Sequence, residues 1–212
     1  MATKSTSKLG LLALAAVGVA VLVQGGDLEE LADDLLGDVF TADPVVIEED
    51  GVALLVAVDQ EAALEQCKPA RIVADRRCGD TKVVVFDATK MAFVTRNISL
   101  AWGEGKPPIL TKDASREVAN RRAACPRSFK RPHGGSCDEY PFASTRQGGA
   151  GARTEEVPAR ENSCQGGTLA RGYNLAGIRE GDDYLVVIAN PSAIANGPYA
   201  GVDVAKDRSC QA

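Results

Sequence analysis

The chain has 212 residues, of which 45% are hydrophobic and 25% charged, as in an ordinary folded soluble protein. Aromatics make up only 5%, so Val, Leu, Ile and Ala must supply the core. The net charge of −5 hides an asymmetry that excludes a uniformly acidic protein: residues 1–60 hold 11 acids against Lys4 and Lys8, which leaves 29 − 11 = 18 acids and 24 − 2 = 22 bases, a net of +4, for the remainder.

Met1–Lys8 is basic and acid-free, and Leu9–Val23 is apolar or Gly without a break. Gly25 and Gly26 follow, and charge resumes at Asp27. This is the order of a secretory signal, predicted over residues 1–26. As a helix the apolar run reaches about 22 Å, short of the roughly 30 Å hydrocarbon layer, which favours a cleaved signal over an N-terminal anchor. Secretion with no stable membrane association after cleavage is therefore expected. Residues 27–50 read as an acidic, propeptide-like leader, with Leu28, Leu31, Leu35 and Leu36 at helical spacing. It is either a solvated spacer or a cover for a basic cleft.

Gly51–Val58 and Lys82–Asp87 are β-branched runs that read as buried strands. Met91–Ile98 is expected to pair with the second of them across Ala88–Lys90. Gly103–Pro108 is a candidate linker, and residues 51–110 are expected to form a β-rich part of unassigned role, separate from a domain at 111–212. Asp113–Ala124 is helix-compatible. Residues 130–167 are rich in Gly, Pro and Arg and read as loop. A helix is expected within Gly166–Arg179, and Tyr184–Ala189 is the last strand.

Six cysteines occur, none in a CxxC pair, which excludes a zinc knuckle of that kind. An even number in an exported chain favours disulfides. The preferred pairing is Cys67–Cys78, Cys137–Cys164 and Cys125–Cys210, one of many that six cysteines allow.

The densest chemistry lies in SCDEYPFAST at 136–145 and ENSCQGG at 161–167. Asp138 and Glu139 are adjacent: on a strand they face opposite ways, on a turn they converge. With Asn162 and Gln165 they offer the oxygen ligands that suit Mg²⁺ or Mn²⁺, and a second carboxylate can take a proton from an attacking water. From Arg116 to Arg179 there are 11 Arg and Lys but six acids, Asp138 and Glu139 included. Arg131, Arg146 and Arg160 are candidate phosphate contacts, although any one of them is also what a loop-rich surface uses for solvation. His133, the only histidine, is a minor candidate for the base. Asn97-Ile98-Ser99 is a formal glycosylation acceptor.

At SCDEYPFAST, VPARENSCQGG (157–167) and YLVVIAN (184–190), the sequence resembles the NucA/NucB deoxyribonuclease family of secreted bacterial nucleases, over roughly residues 111–190. The resemblance implies an α+β fold, a small antiparallel sheet with packed helices and a disulfide-stapled core like that of ββα-metal nucleases. It implies an endonuclease using Mg²⁺ or Mn²⁺ on DNA, with RNA also open. Asp138 and Glu139 match the family's acidic pair, and Asn162 matches its metal-binding Asn. Some members carry Asp-Arg before that pair; Ser136-Cys137 stands here, so a phosphate-contacting Arg must come from elsewhere. Two other readings stay open: a catalytically inactive, disulfide-rich binding module, and a nuclease toxin with an immunity or inhibitor protein.

Overall fold

The computed structural model describes residues 43–210. The expected signal and the acidic amphipathic segment at 27–38 lie outside them. The elements are β1 (Val45–Glu49), β2 (Val52–Val56), α1 (Glu61–Leu64), α2 (Pro69–Asp75), β3 (Arg77–Cys78), β4 (Thr81–Asp87), α3 (Ala92–Gly103), β5 (Ile109–Thr111), α4 (Glu117–Ala124), β6 (Ser136–Tyr140), β7 (Arg153–Val157), α5 (Ala159–Ala176) and β8 (Asp183–Ala189). None of the described helices is long and apolar enough to cross a membrane.

A six-stranded sheet runs β1-β2-β8-β4-β3, with β5 also pairing β8. Every pairing is antiparallel except β4–β8. Side chains alternate across it, as a strand's period of two requires. Leu55, Val84, Phe86, Val186 and Ile188 turn to one core with residues of α3, β6 and α5. Leu54, Val56, Val83, Val85, Leu185 and Val187 turn to the other, against Leu64, Ile72 and Cys78. This double burial explains why β4 and β8 read as near-continuous apolar runs.

A second, two-stranded sheet pairs β6 with β7, Asp138 opposite Glu155 and Cys137 opposite Glu156. Helix α5 follows β7 directly, giving the order ββα. It lies close on β4 because residue 172 is Gly: a Cβ there would sit 3.0 Å from Val84 Cγ1. The fold is thus the α+β, disulfide-stapled class that the resemblance implies.

Several expectations give way. Met91–Ile98 does not form a strand; Met91 precedes α3 and the rest lies in it, with Phe93, Val94, Ile98, Ala101 and Trp102 of the helix buried at helical spacing. The start of α3 is capped from another helix, by Glu161 Oε2 accepting from Phe93 N (2.8 Å) and Val94 N (3.1 Å). The stretch 130–167 is not loop throughout, since it holds β6, β7 and the first half of α5. Its polar strands escaped the periodicity test because Asp138 and Glu139 are both buried. The sheet begins before Gly51, with β1, and the division at 110/111 cuts through β5. Residues 51–110 supply β2, β3, β4 and α3 to the sheet and core that β8 and α5 complete.

The disulfides are Cys67–Cys78, Cys125–Cys137 and Cys164–Cys210. The expected Cys67–Cys78 pair forms. Cys137–Cys164 and Cys125–Cys210 do not: Cys137 on β6 meets the end of α4, while Cys164 on α5 holds the C-terminal segment. Cys137 and Asn162 are instead joined by a hydrogen bond, Asn162 Nδ2 to Cys137 O at 3.1 Å.

Candidate active site

Strand β6 delivers its two carboxylates to different surroundings. Glu139 opens on a cleft of about 580 Å³, together with Ser136, Asn162, Gln165, Lys112, Glu117, Arg121 and Glu180. Asp138 is fully buried and lies beneath the cleft, not on its wall. Its Oδ2 accepts from Asn97 Nδ2 at 2.8 Å and its Oδ1 from Gln165 Nε2 at 2.5 Å. Asn97 in turn accepts from Arg153 Nη1 at 2.5 Å, and Arg153 reaches Glu155 Oε1 at 2.9 Å. Arg96 also pairs with Glu155. A chain of hydrogen bonds thus runs from the sheet-facing helix α3, through Asp138, to the cleft-lining Gln165.

Burial governs the protonation of both groups. It pushes Asp138 up to about 8, with the nearby Glu139 and Glu155 charges adding to it and the Asn97 and Gln165 hydrogen bonds opposing. Burial also raises Glu139, and the Arg121 charge, with Nη2 3.9 Å from Oε1, opposes it. Cys125 Sγ lies 3.3 Å from Glu139 Oε2. Being half of a disulfide it has no proton to donate, so this is a packing contact.

Asn162 is fixed in orientation. Its Nδ2 donates to Ser136 Oγ at 2.6 Å and to Cys137 O, an atom that can only accept. The side-chain carbonyl is left to accept. Two oxygens of the hard type, a Glu139 carboxylate and an Asn162 amide carbonyl, therefore line one open cleft. That donor set fits a cation that keeps most of its water. No group of three or more His, Cys, Asp or Glu that could hold a metal occurs among the described residues.

The other candidates fall elsewhere. Arg160 is committed to structure: it binds Asp203 through Nε (2.6 Å) and Nη2 (3.1 Å), and Lys90 O at 2.9 Å. Arg146 is exposed and 3.9 Å from Asp113, off the cleft lining. Arg131 and His133 are exposed in the turn before β6. His133 gives its backbone N–H to Glu156 and sets its ring edge-on to Tyr199, again off the cleft. The Asn97 glycosylation reading is excluded by geometry, since Asn97 is 0% exposed inside α3.

Sequence reasoning missed Asn97, Lys112, Glu117, Arg121 and Glu180. The one signal for Arg121 was its place four residues before Cys125, which carries meaning only once Cys125 is known to bond Cys137.

Two antiparallel strands followed by a helix, with a carboxylate on the first strand and an oriented Asn on the helix lining one cleft, make up a ββα arrangement. Residues 99–187 match the family model described as Deoxyribonuclease NucA/NucB. That stretch is similar to the NucA/NucB family, and the match supports a deoxyribonuclease or endonuclease. The match runs from within α3 to within β8, so the sheet strands β1 to β4 lie outside it. No curated protein matches the chain.

Proposed function

We propose that the cleft hydrolyses phosphodiester bonds of DNA with a divalent cation, Mg²⁺ or Mn²⁺, held by Asn162 and Glu139. The observation that carries this reading is the convergence of Glu139 from β6 and an orientation-locked Asn162 from α5 on one open cleft. The cation, when bound, neutralises charge on the phosphate and on the leaving oxygen. Ser136 and Cys137 O hold the Asn162 amide so that its carbonyl is presented without reorganisation. Glu139, its proton affinity raised by burial, is the carboxylate placed to take a proton from a water in the cleft. Asp138 acts from below by fixing Gln165.

A second reading follows from the 2.5 Å contact between Gln165 and Asp138. Turning Gln165 aside uncovers Asp138, which then serves as the base. Gln165→Ala separates the two: cutting drops if Gln165 must be fixed by Asp138, and is kept or rises if Gln165 only covers it.

Export fits the three disulfides, which persist in oxidising surroundings. The test of the hydrolytic reading is nicking of supercoiled plasmid with Mg²⁺, Mn²⁺ or EDTA. Cutting that requires either ion supports it. Plasmid left intact with both ions, or cut equally well in EDTA, overturns it. The same assay on single-stranded DNA and RNA fixes the substrate range.

A further inference from the structure

We infer that helix α4 is a substrate arm, that Arg121 on it is the residue that binds a DNA phosphate beside Glu139, and that the Cys125–Cys137 disulfide sets its position. The inference rests on the nuclease reading of the cleft and goes beyond it by naming the phosphate contact.

Two cations line the cleft, and their surroundings differ. Lys112 is largely covered, its side chain 20% exposed, with Nζ 3.2 Å from Glu180 and 4.8 Å from the centre of the Tyr173 ring. Arg121 is 54% exposed and has two partners: the exposed Glu117 Oε1 at 3.3 Å, one helical turn back, and the buried Glu139 Oε1 at 3.9 Å. An exposed pair of that kind contributes little, so a phosphate can replace Glu117 as the partner. The planar guanidinium then offers a two-pronged contact to phosphate oxygens.

How α4 is held points the same way. It buries none of its residues, so no apolar face fixes it. Its position comes from the Cys125–Cys137 bond to β6 and from Asn120, whose Nδ2 donates to Ala143 O at 2.9 Å and Thr145 O at 2.8 Å. The loop it grips is shaped to match: a Cβ on Gly148 would lie 2.2 Å from Phe142 O, and one on Gly149 2.7 Å from Asn120 Oδ1. Cys137 is the residue immediately before Asp138, so the staple fixes the arm to the strand that carries both carboxylates.

The test is binding of a fluorescein-labelled 20-base-pair duplex, read by anisotropy in Ca²⁺ over a range of salt, alongside plasmid nicking in Mg²⁺. Arg122→Gln is the control: it removes the same charge from the next residue of α4, which does not line the cleft. Arg121→Gln is expected to weaken binding about tenfold and to lower the salt slope by about one phosphate, while Arg122→Gln stays within about twofold of wild type. The Cys125→Ser, Cys137→Ser double variant, shown folded by circular dichroism, is expected to match Arg121→Gln in slope. Equal losses for Arg121→Gln and Arg122→Gln, or wild-type binding by Arg121→Gln, overturn the role of Arg121. Wild-type slope in the folded double variant overturns the role of the disulfide. A wild type that binds the duplex but never nicks plasmid defeats the hydrolytic reading and leaves the Arg121 result to stand or fall on the binding data.

Discussion

Gln165 donates to buried Asp138 across the α5–β6 contact at 2.5 Å, and so couples a cleft-lining side chain to a carboxylate beneath it. Replacing Gln165 by Ala leaves one Asp138 oxygen buried without that donor, a loss of about 1–3 kcal/mol in urea unfolding. Asn97→Ala is expected to cost at least as much, because Asn97 serves both Asp138 and Arg153. Unchanged unfolding midpoints in both variants would show that the network does not hold the hairpin to its helices.

Glu161 and Asp138 give stability a definite pH dependence. Burial pushes them up to about 7 and about 8, well above the roughly 4 of an unfolded carboxylate. Between those values the folded protein binds more protons than the unfolded chain, so stability must fall as pH rises. The contribution of these two groups is fullest below about pH 4 and is lost as pH rises to about 7 to 8. Glu161→Gln keeps an acceptor for the Phe93 and Val94 amides and removes the charge. It should flatten the fall of Tm between about pH 5 and 8, measured by scanning fluorimetry. A wild-type Tm that is level or rising over that interval contradicts this account.

The strands β2, β4 and β8 and the Cys67–Cys78 staple were legible in the sequence because local pattern is enough for each: unbroken β-branched runs, and two cysteines flanking a short polar stretch. Helix α3 was not. MAFVTRNI is ambiguous between periods, and the carboxylate that caps it, Glu161, arrives from 68 residues away. The site divides the same way. Asp138, Glu139 and Asn162 stood out as a motif, but adjacency could not tell that one carboxylate faces the cleft and its neighbour faces Asn97 and Gln165. Arg160 looked like a phosphate ligand because its partner Asp203 lies 43 residues downstream in a segment without periodicity.

The Cys67–Cys78 bond closes a short loop that contains α2, and neither cysteine lines the cleft. Its removal by Cys67→Ser, Cys78→Ser should cost about 2–3 kcal/mol in denaturant unfolding and leave the nicking rate of the folded protein unchanged. A matching loss of nicking at temperatures where the variant remains folded would tie this staple to the site.

Asn162→Ala removes the oriented amide carbonyl while leaving Ser136 and Cys137 in place. Mn²⁺ affinity, measured by calorimetry on the uncut protein, should fall about tenfold or more, with the midpoint of metal activation moving to correspondingly higher concentration. Equal Mn²⁺ binding in wild type and variant removes Asn162 from the ligand set.

The most direct measurement is the plasmid-nicking rate of Glu139→Gln set beside Asp138→Asn, each verified as folded by circular dichroism. Placing Glu139 on the cleft and Asp138 beneath it predicts that Glu139→Gln loses about a hundredfold or more, the scale of a lost general base, with its unfolding midpoint nearly unchanged. Asp138→Asn should lose less activity and more stability. Glu139→Gln cutting as fast as wild type, with Asp138→Asn folded and inactive, would contradict the assignment and make Asp138 the acting carboxylate.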